Sequence, residues 1–333
     1  VQKDIILFAV PSVFVRSTAE KARQYIPDGQ IVVDVAKGIE ADTLYTMSEV
    51  IRDEIQKDGL HPNAKIVALS GPTHAEEVAC DMPTTIVSAC TDLDVAEKVQ
   101  DVFMNTCMRV YTNVDVHGVE LCGALKNIIA LAAGISKGLG YGDNAKAALI
   151  TRGMAEISRL GVAMGCMEQT FNGLAGIGDL IVTATSEHSR NNRAGQLIGN
   201  GCSPSDAIKR VGMVVEGVNA LPAVMQLMQR YDIDMPIVTA VNAVVNEGAD
   251  PKEIVTRLMS RDKKSELPKS ILDINFESTI LKNRRSSTGM RSRKNVISHM
   301  KREKHCWSLF VMSILLFLKK IGNRREQMCM NIM

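Results

Sequence analysis

The sequence predicts an α/β half built on a doubly wound, mainly parallel sheet, followed by an all-helical half. Three observations carry this. Over residues 4–113, short continuous apolar runs closed by turn residues alternate with helix-like segments, the pattern of buried strands in βαβ units. After about residue 115 the strand-like runs stop, and helical spacing continues to about residue 260. The 333 residues, 46% hydrophobic and 23% charged, suit two or three globular domains and exclude collagen-like, low-complexity and wholly disordered classes.

The elements are read in chain order. DIILFAV (4–10) is an apolar run ended by Pro11-Ser12, a strand buried on both faces. A helix is expected over 13–26, a strand at IVVDVA (31–36) and a helix over 43–56. KIVALSG (65–71), TTIVSAC (84–90) and MRVYTN (108–113) read as further strands, with a short helix near 94–104. In the second half, 117–140 and 144–165 are long helix patterns, and helices also fit 203–210, 217–230, 236–246 and 251–259. The stretch 173–201 reads as a polar loop between helices. The expected boundaries are thus 1–115, 116–273 and a tail, 274–333. An α/β part beside a helical part commonly holds a small ligand in the cleft between them.

Charge divides the chain. Residues 274–333 hold 13 Lys and Arg against 3 Asp and Glu, whereas the first 273 hold 26 against 34. The body is acidic, which gives no footing for nucleic acid as its partner. The tail contains CWSLFVMSILLFL (306–318) between basic clusters. Thirteen apolar residues fall short of the ~20 of a membrane span. A poorly ordered extension is expected there, with a membrane-surface helix and a packed helix as alternatives. The eight cysteines show no metal-ligand spacing, so thiols in a reducing cytoplasm are expected and no metal site.

Several residues are candidates for chemistry. Lys126, in GALKNIIALAAG, is costly to bury unless paired, and a desolvated lysine can act as acid or base near neutrality. Asn127 beside it could fix its geometry. In LSGPTHAEEVA (69–79) a strand turns into a helix at Gly71. Thr73 is placed there as an N-cap with Glu76 completing a capping box, and free N–H groups at such a start suit an anion. Lys37 follows a strand at the edge where open α/β sheets bind ligands. Glycines 173, 176 and 178 are not a dinucleotide fingerprint, because no strand precedes them. Asp179 could accept a hydroxyl or pair with Lys126, and Ser189, Arg190 and Asn191 suit a phosphate. Glu216 opens a helix, where a carboxylate meets the positive end of the helix dipole.

Together, FAVPS (8–12), VAKGIE (35–40), LSGPTHAEEVA (69–79), GALKNIIALAAGI (123–135), NGLAGIGDLIVTATSEHSRNNRAG (172–195) and VVEG (214–217) resemble the bacterial-type NAD(P)-dependent glycerol-3-phosphate dehydrogenases over residues 1–265. The resemblance implies a truncated Rossmann-type NAD(P)-binding part at 1–115, a helical substrate part at 116–273 and an atypical tail. It implies NAD or NADP as cofactor, and interconversion of dihydroxyacetone phosphate and sn-glycerol 3-phosphate for glycerophospholipid synthesis. Lys126 would be the acid/base. Lys37, Gly71, Thr73, Lys126, Asp179, Ser189, Arg190 and Asn191 would bind substrate. Lys37, Ala75, Arg190, Val214 and Glu216 would bind cofactor. The expected partner is a small phosphorylated molecule, with no membrane for the body, and a homodimer is compatible. The family's opening strand, GxGxxG turn, helix and second strand are not among these residues. At roughly 30 residues per βαβ unit, that segment amounts to about 60 residues. A non-catalytic fragment of the enzyme is therefore the alternative. A β-hydroxyacid or ketopantoate-type reductase shares the plan, but the Ser189-Arg190-Asn191 run speaks against it.

Overall fold

The computed structural model describes residues 4–57, 59–263 and 265–266, and the expectations for the tail 274–333 lie outside them. Every helix and strand named below belongs to the unit Val1–Arg261.

The first part runs β1 (Ile5–Phe8), α1 (Val15–Ala22), β2 (Ile31–Asp34), α2 (Met47–Gln56), β3 (Lys65–Ser70), α3 (Ala75–Val78), β4 (Thr84–Ala89), α4 (Leu93–Phe103) and β5 (Met108–Asn113). The strands lie in sequence order in one sheet. All neighbours are parallel except β3 and β4, which are antiparallel. The connection between those two holds only the one-turn helix α3, so the chain turns back instead of crossing over the sheet. β1 is one of the two edge strands of the described sheet, and Leu7 on it is 48% exposed. Phe8 pairs with Asp34 and Asp34 with Ala68. The C-terminal ends of β1, β2 and β3 therefore align, and the segments leaving them gather at one edge.

The second part is helical: α5 (Val116–Gly138), α6 (Asp143–Ala163), α7 (Glu168–Phe171), α8 (Asp179–Thr185), α9 (Arg190–Gly199), α10 (Pro204–Val211), α11 (Glu216–Tyr231), α12 (Pro236–Asn246) and α13 (Pro251–Met259). The helix α5 is its spine. It is long and apolar enough to cross a membrane, yet its apolar stretch is buried inside the protein, with α6, α8, α9, α11 and α12 packed around it. Leu121, Leu125, Ile128, Ile129 and Leu131 are fully buried, each such side chain worth about 1.5–3 kcal/mol. Asp115 caps the helix by accepting from the Gly118 N–H at 2.9 Å. Its other oxygen accepts from Met167 N at 2.9 Å and the Thr170 hydroxyl at 2.7 Å, which ties α7 to the start of the spine.

Two buried or half-buried carboxylates are among the ties that join the helices to the sheet layer. Glu120 of α5, 6% exposed, accepts from Ser48 N at 2.7 Å, the Ser48 hydroxyl at 2.5 Å and the Thr46 hydroxyl at 2.7 Å. It thus satisfies free donors at the start of α2. Glu216, the first residue of α11, accepts from the Ser12 hydroxyl at 2.6 Å and from Ser12 N at 3.3 Å.

Candidate active site

At the strand-end edge, three charged side chains meet on the spine. Lys126, in the middle of α5, is 5% exposed. Its Nζ donates to Asp179 Oδ1 and, at 2.7 Å, to the Thr183 hydroxyl. The Thr183 hydroxyl in turn donates to the Asp179 carbonyl at 2.7 Å, one helical turn back in α8. Lys37, leaving β2, reaches the other oxygen of Asp179 at 2.7 Å and the Gly71 carbonyl at 3.0 Å. One carboxylate, 1% exposed, therefore holds two lysines. Gly123, one turn before Lys126, makes room for this, since a Cβ there would meet the Lys37 stem at 3.3 Å.

Burial decides the protonation of this group. It pulls the Lys126 ammonium down to about 7 against the opposing attraction of Asp179, and the nearby Lys37 charge acts in the same direction as burial. Burial pushes Asp179 up, but the charges of Lys126 and Lys37 outweigh it and leave the carboxyl below its ordinary range. The result is a fixed carboxylate beside an amine that can give or take a proton near neutrality. Asp34, at the end of β2, is buried with Oδ1 accepting from Ala36 N at 3.1 Å. Burial, reinforced by Glu120, pushes its carboxyl well above the usual carboxylate range.

The opposite wall is the start of α9. Ser189 caps it, its hydroxyl accepting from Asn192 N at 3.2 Å. Asn191 donates to Asn127 Oδ1 at 2.9 Å and accepts from Gly217 N at 2.8 Å, joining α9, α5 and α11. These helices approach closely through glycine. A Cβ on Gly134 would lie 2.1 Å from the Asn192 carbonyl, and one on Gly195 would lie 2.2 Å from the Leu131 carbonyl. Gly138 and Gly199 meet in the same way one turn on, and Gly217 lies against the Asn127 carbonyl. Lys126 and the α9 start are thus fixed relative to each other by main-chain contact.

A cavity of about 540 Å³ opens between these walls. Of the sequence-predicted residues, Lys37, Thr73, Ala75, Lys126, Asp179, Ser189, Arg190, Asn191 and Glu216 line it. Gly71 is not part of the wall, but its carbonyl accepts from the lining residue Lys37 at 3.0 Å. Val214 lies in the turn before α11, outside the cavity wall. The expected capping box at Thr73 and Glu76 does not form. The residue before α3 is His74, and the Thr73 hydroxyl turns back to donate to the Gly71 carbonyl at 3.1 Å. The expected loop over 173–201 is mostly helix, α8 and α9. Polar residues there pair with one another and with main chain, so a polar sequence is compatible with burial. Ser12, His74, Thr183 and His188 line the cavity as well, although the sequence did not single them out. Of these, only Thr183 carries a spacing signal, one helical turn beyond Asp179.

A strand-end cavity between a doubly wound sheet and a helical layer, with a buried lysine of neutral range on its floor, defines the class of two-part nucleotide-dependent dehydrogenases. A family model described as the N-terminus of NAD-dependent glycerol-3-phosphate dehydrogenase matches residues 1–96. One for the C-terminus of the same enzyme matches residues 115–256. A protein of Lactobacillus delbrueckii subsp. bulgaricus named glycerol-3-phosphate dehydrogenase [NAD(P)+] 2 is 70% identical over 267 residues, 80% of this chain and 79% of that one. A Clostridium acetobutylicum protein named glycerol-3-phosphate dehydrogenase [NAD(P)+] is 52% identical over 261 residues, 78% and 77% of the two chains. The crystal structure of glycerol-3-phosphate dehydrogenase from Coxiella burnetii superposes with a TM-score of 0.73 at 35% identity, covering 78% of this chain and 77% of that one. The chain belongs to the NAD-dependent glycerol-3-phosphate dehydrogenase family.

Proposed function

We propose that the chain is an NAD(P)-dependent dehydrogenase that interconverts dihydroxyacetone phosphate and sn-glycerol 3-phosphate, in the cytoplasm, as a source of glycerophospholipid precursor. The family and its similar relatives favour this over a non-catalytic fragment. The observation that carries it is the pair Lys126 and Lys37 on one buried carboxylate, Asp179, facing the Ser189-Arg190-Asn191 wall.

The residues present fit a nicotinamide nucleotide. The cavity lies at the C-terminal strand edge, and two cations, Lys37 and Arg190, face it. Lys37, Ala75, Arg190 and Glu216 would hold the cofactor, with Val214 behind them. Held there, a nicotinamide nucleotide would supply hydride exchange with the substrate carbon. In reduction, the Lys126 ammonium donates its proton to the carbonyl oxygen. Lys37 adds a second positive charge where the alkoxide develops. Asp179 and Thr183 hold the Lys126 amine in place, and the Asp179 charge keeps the two lysines from repelling each other apart. In oxidation the neutral Lys126 amine takes the hydroxyl proton. Ser189, Arg190 and Asn191, with Thr73 opposite, grip the phosphate. The division near residue 115 into a cofactor part and a substrate part belongs to the same proposal.

The test is oxidation of NADH and NADPH by the purified full chain with dihydroxyacetone phosphate, followed by the absorbance of the reduced nicotinamide. Turnover that requires the phosphorylated substrate is expected. Equal turnover of unphosphorylated dihydroxyacetone would remove the phosphate from the reading.

A further inference from the structure

His74 lies in the loop after β3, half-buried and lining the cavity. Its Nε2 is shut off from solvent and has no hydrogen-bond partner among the described residues. A buried polar atom without a partner at the wall of a functional cavity calls for one. The ring's position shows which part of the cavity it serves. His188 also lines the cavity, and the two ring centroids are 6.1 Å apart with planes inclined at 58°, a tilted contact. His188 directly precedes Ser189, the cap of α9. His74 therefore stands near the segment that leads into α9, whose Arg190 and Asn191 line the same cavity.

We propose that His74 is a further substrate-binding residue, its ring turning from the wall so that the Nε2–H, enclosed in this structure, donates to a phosphate oxygen of the substrate beside the His188 ring. This rests on the phosphorylated substrate proposed above. The contact would close the phosphate cradle from the sheet side, where the neighbouring Thr73 hydroxyl is turned back to the Gly71 carbonyl. It discriminates phosphorylated from unphosphorylated three-carbon substrates, because without phosphate the Nε2 donor stays unpaired.

The experiment compares the full chain with His74→Ala and His74→Gln, the glutamine placing an amide N–H at about the reach of Nε2. His74→Ala is expected to raise KM for dihydroxyacetone phosphate by about tenfold or more, the scale of a hydrogen bond to a charged group. The constants kcat and KM for NADH or NADPH stay near wild type, and His74→Gln restores most of the loss. An unchanged KM for dihydroxyacetone phosphate, a rise confined to the nucleotide KM, or a fall in kcat alone overturns the proposal. Titration of sn-glycerol 3-phosphate by calorimetry separates it from the function reading. If the wild type binds this ligand but turns nothing over, the function reading fails. His74 then still stands if the alanine variant binds about tenfold more weakly and glutamine restores affinity. Equal affinities, or no binding by wild type, overturn it.

Discussion

At the residue scale, the site is an exercise in keeping a buried amine useful. A lysine in the middle of an apolar helix should be neutral, and a lysine beside a carboxylate should be charged. Burial and Asp179 pull Lys126 in opposite directions and leave it at about 7. Lys126→Ala is expected to lower turnover by about 10²-fold or more while the nucleotide still binds, and steady-state kinetics with a nucleotide titration checks both. The pH dependence has a definite sign. Reduction needs the protonated amine, so its rate falls as pH rises above about 7. Oxidation needs the neutral amine, so its rate falls as pH drops below about 7. Profiles of kcat/KM in the two directions should mirror each other, and parallel profiles would assign the proton transfer to another group. Lys126 and the Ser189-Arg190-Asn191 run drew notice in the sequence as a cation among apolar residues and a polar cluster suited to phosphate, whereas Lys37 did so only by its place after a strand. His74 and Ser12 were not, since an imidazole or a hydroxyl in a turn has many ordinary uses.

At the scale of elements, the two helices that carry the site are held by glycines at matching intervals, Gly134 and Gly138 on α5 and Gly195 and Gly199 on α9. Gly195→Ala would push a methyl into the Leu131 carbonyl and the Ile135 nitrogen, which are main-chain atoms that cannot rotate away. A loss of about 2 kcal/mol or more is expected in urea unfolding, the upper range for overpacking. Gly178→Ala is the control. That residue has helical dihedrals, and its added methyl would find its nearest neighbour at 3.7 Å. It should be neutral or slightly stabilising. Equal losses in both variants would remove helix approach as the cause. The long apolar helices were readable from periodicity, and their ends fall within a few residues of expectation. The helices α8 and α9 were not, because their buried faces mix Asp179, Thr183, Asn191 and Asn192 with a few apolar residues such as Leu180 and Ile198, and that polarity mimics a loop. The reversal of β4 was hidden for a related reason: buried parallel and antiparallel strands have the same apolar run, and only the shortness of α3 separates them.

For the molecule as a whole, stability should carry a pH signature from Glu156. This residue of α6 is 3% exposed and accepts from Ile237 N at 3.0 Å and Val238 N at 3.4 Å, at the start of α12. Burial pushes its carboxyl up to about 7, although those N–H groups pull it down. The folded chain thus holds this proton more tightly than the unfolded chain does. The stability this adds is complete below the ordinary glutamate range and is lost as pH rises through about 7. A shift of this size corresponds to about 3 kcal/mol at most. Glu156→Gln should remove that slope, whatever it does to stability at one pH. Urea melts over the range from weakly acidic to weakly alkaline that fall equally for both proteins would place the slope elsewhere. The overall plan, sheet then helices, was legible because the apolar period changes once near residue 115. The ties between the layers, Glu120 to Ser48 and Glu216 to Ser12, join residues far apart in the chain and leave no local pattern to read.

The glycine seam also governs what the pocket can be altered to accept. Where main chain rests on main chain, the span from the Lys126 amine to the α9 start is not set by any side chain that could be exchanged for a shorter one. Glycine is already the smallest residue, so substitution in the seam can only widen that span. Redesign toward shorter substrates would have to refill the cavity from its walls, at Thr73, Val182 or His188. The ruler itself has no smaller division.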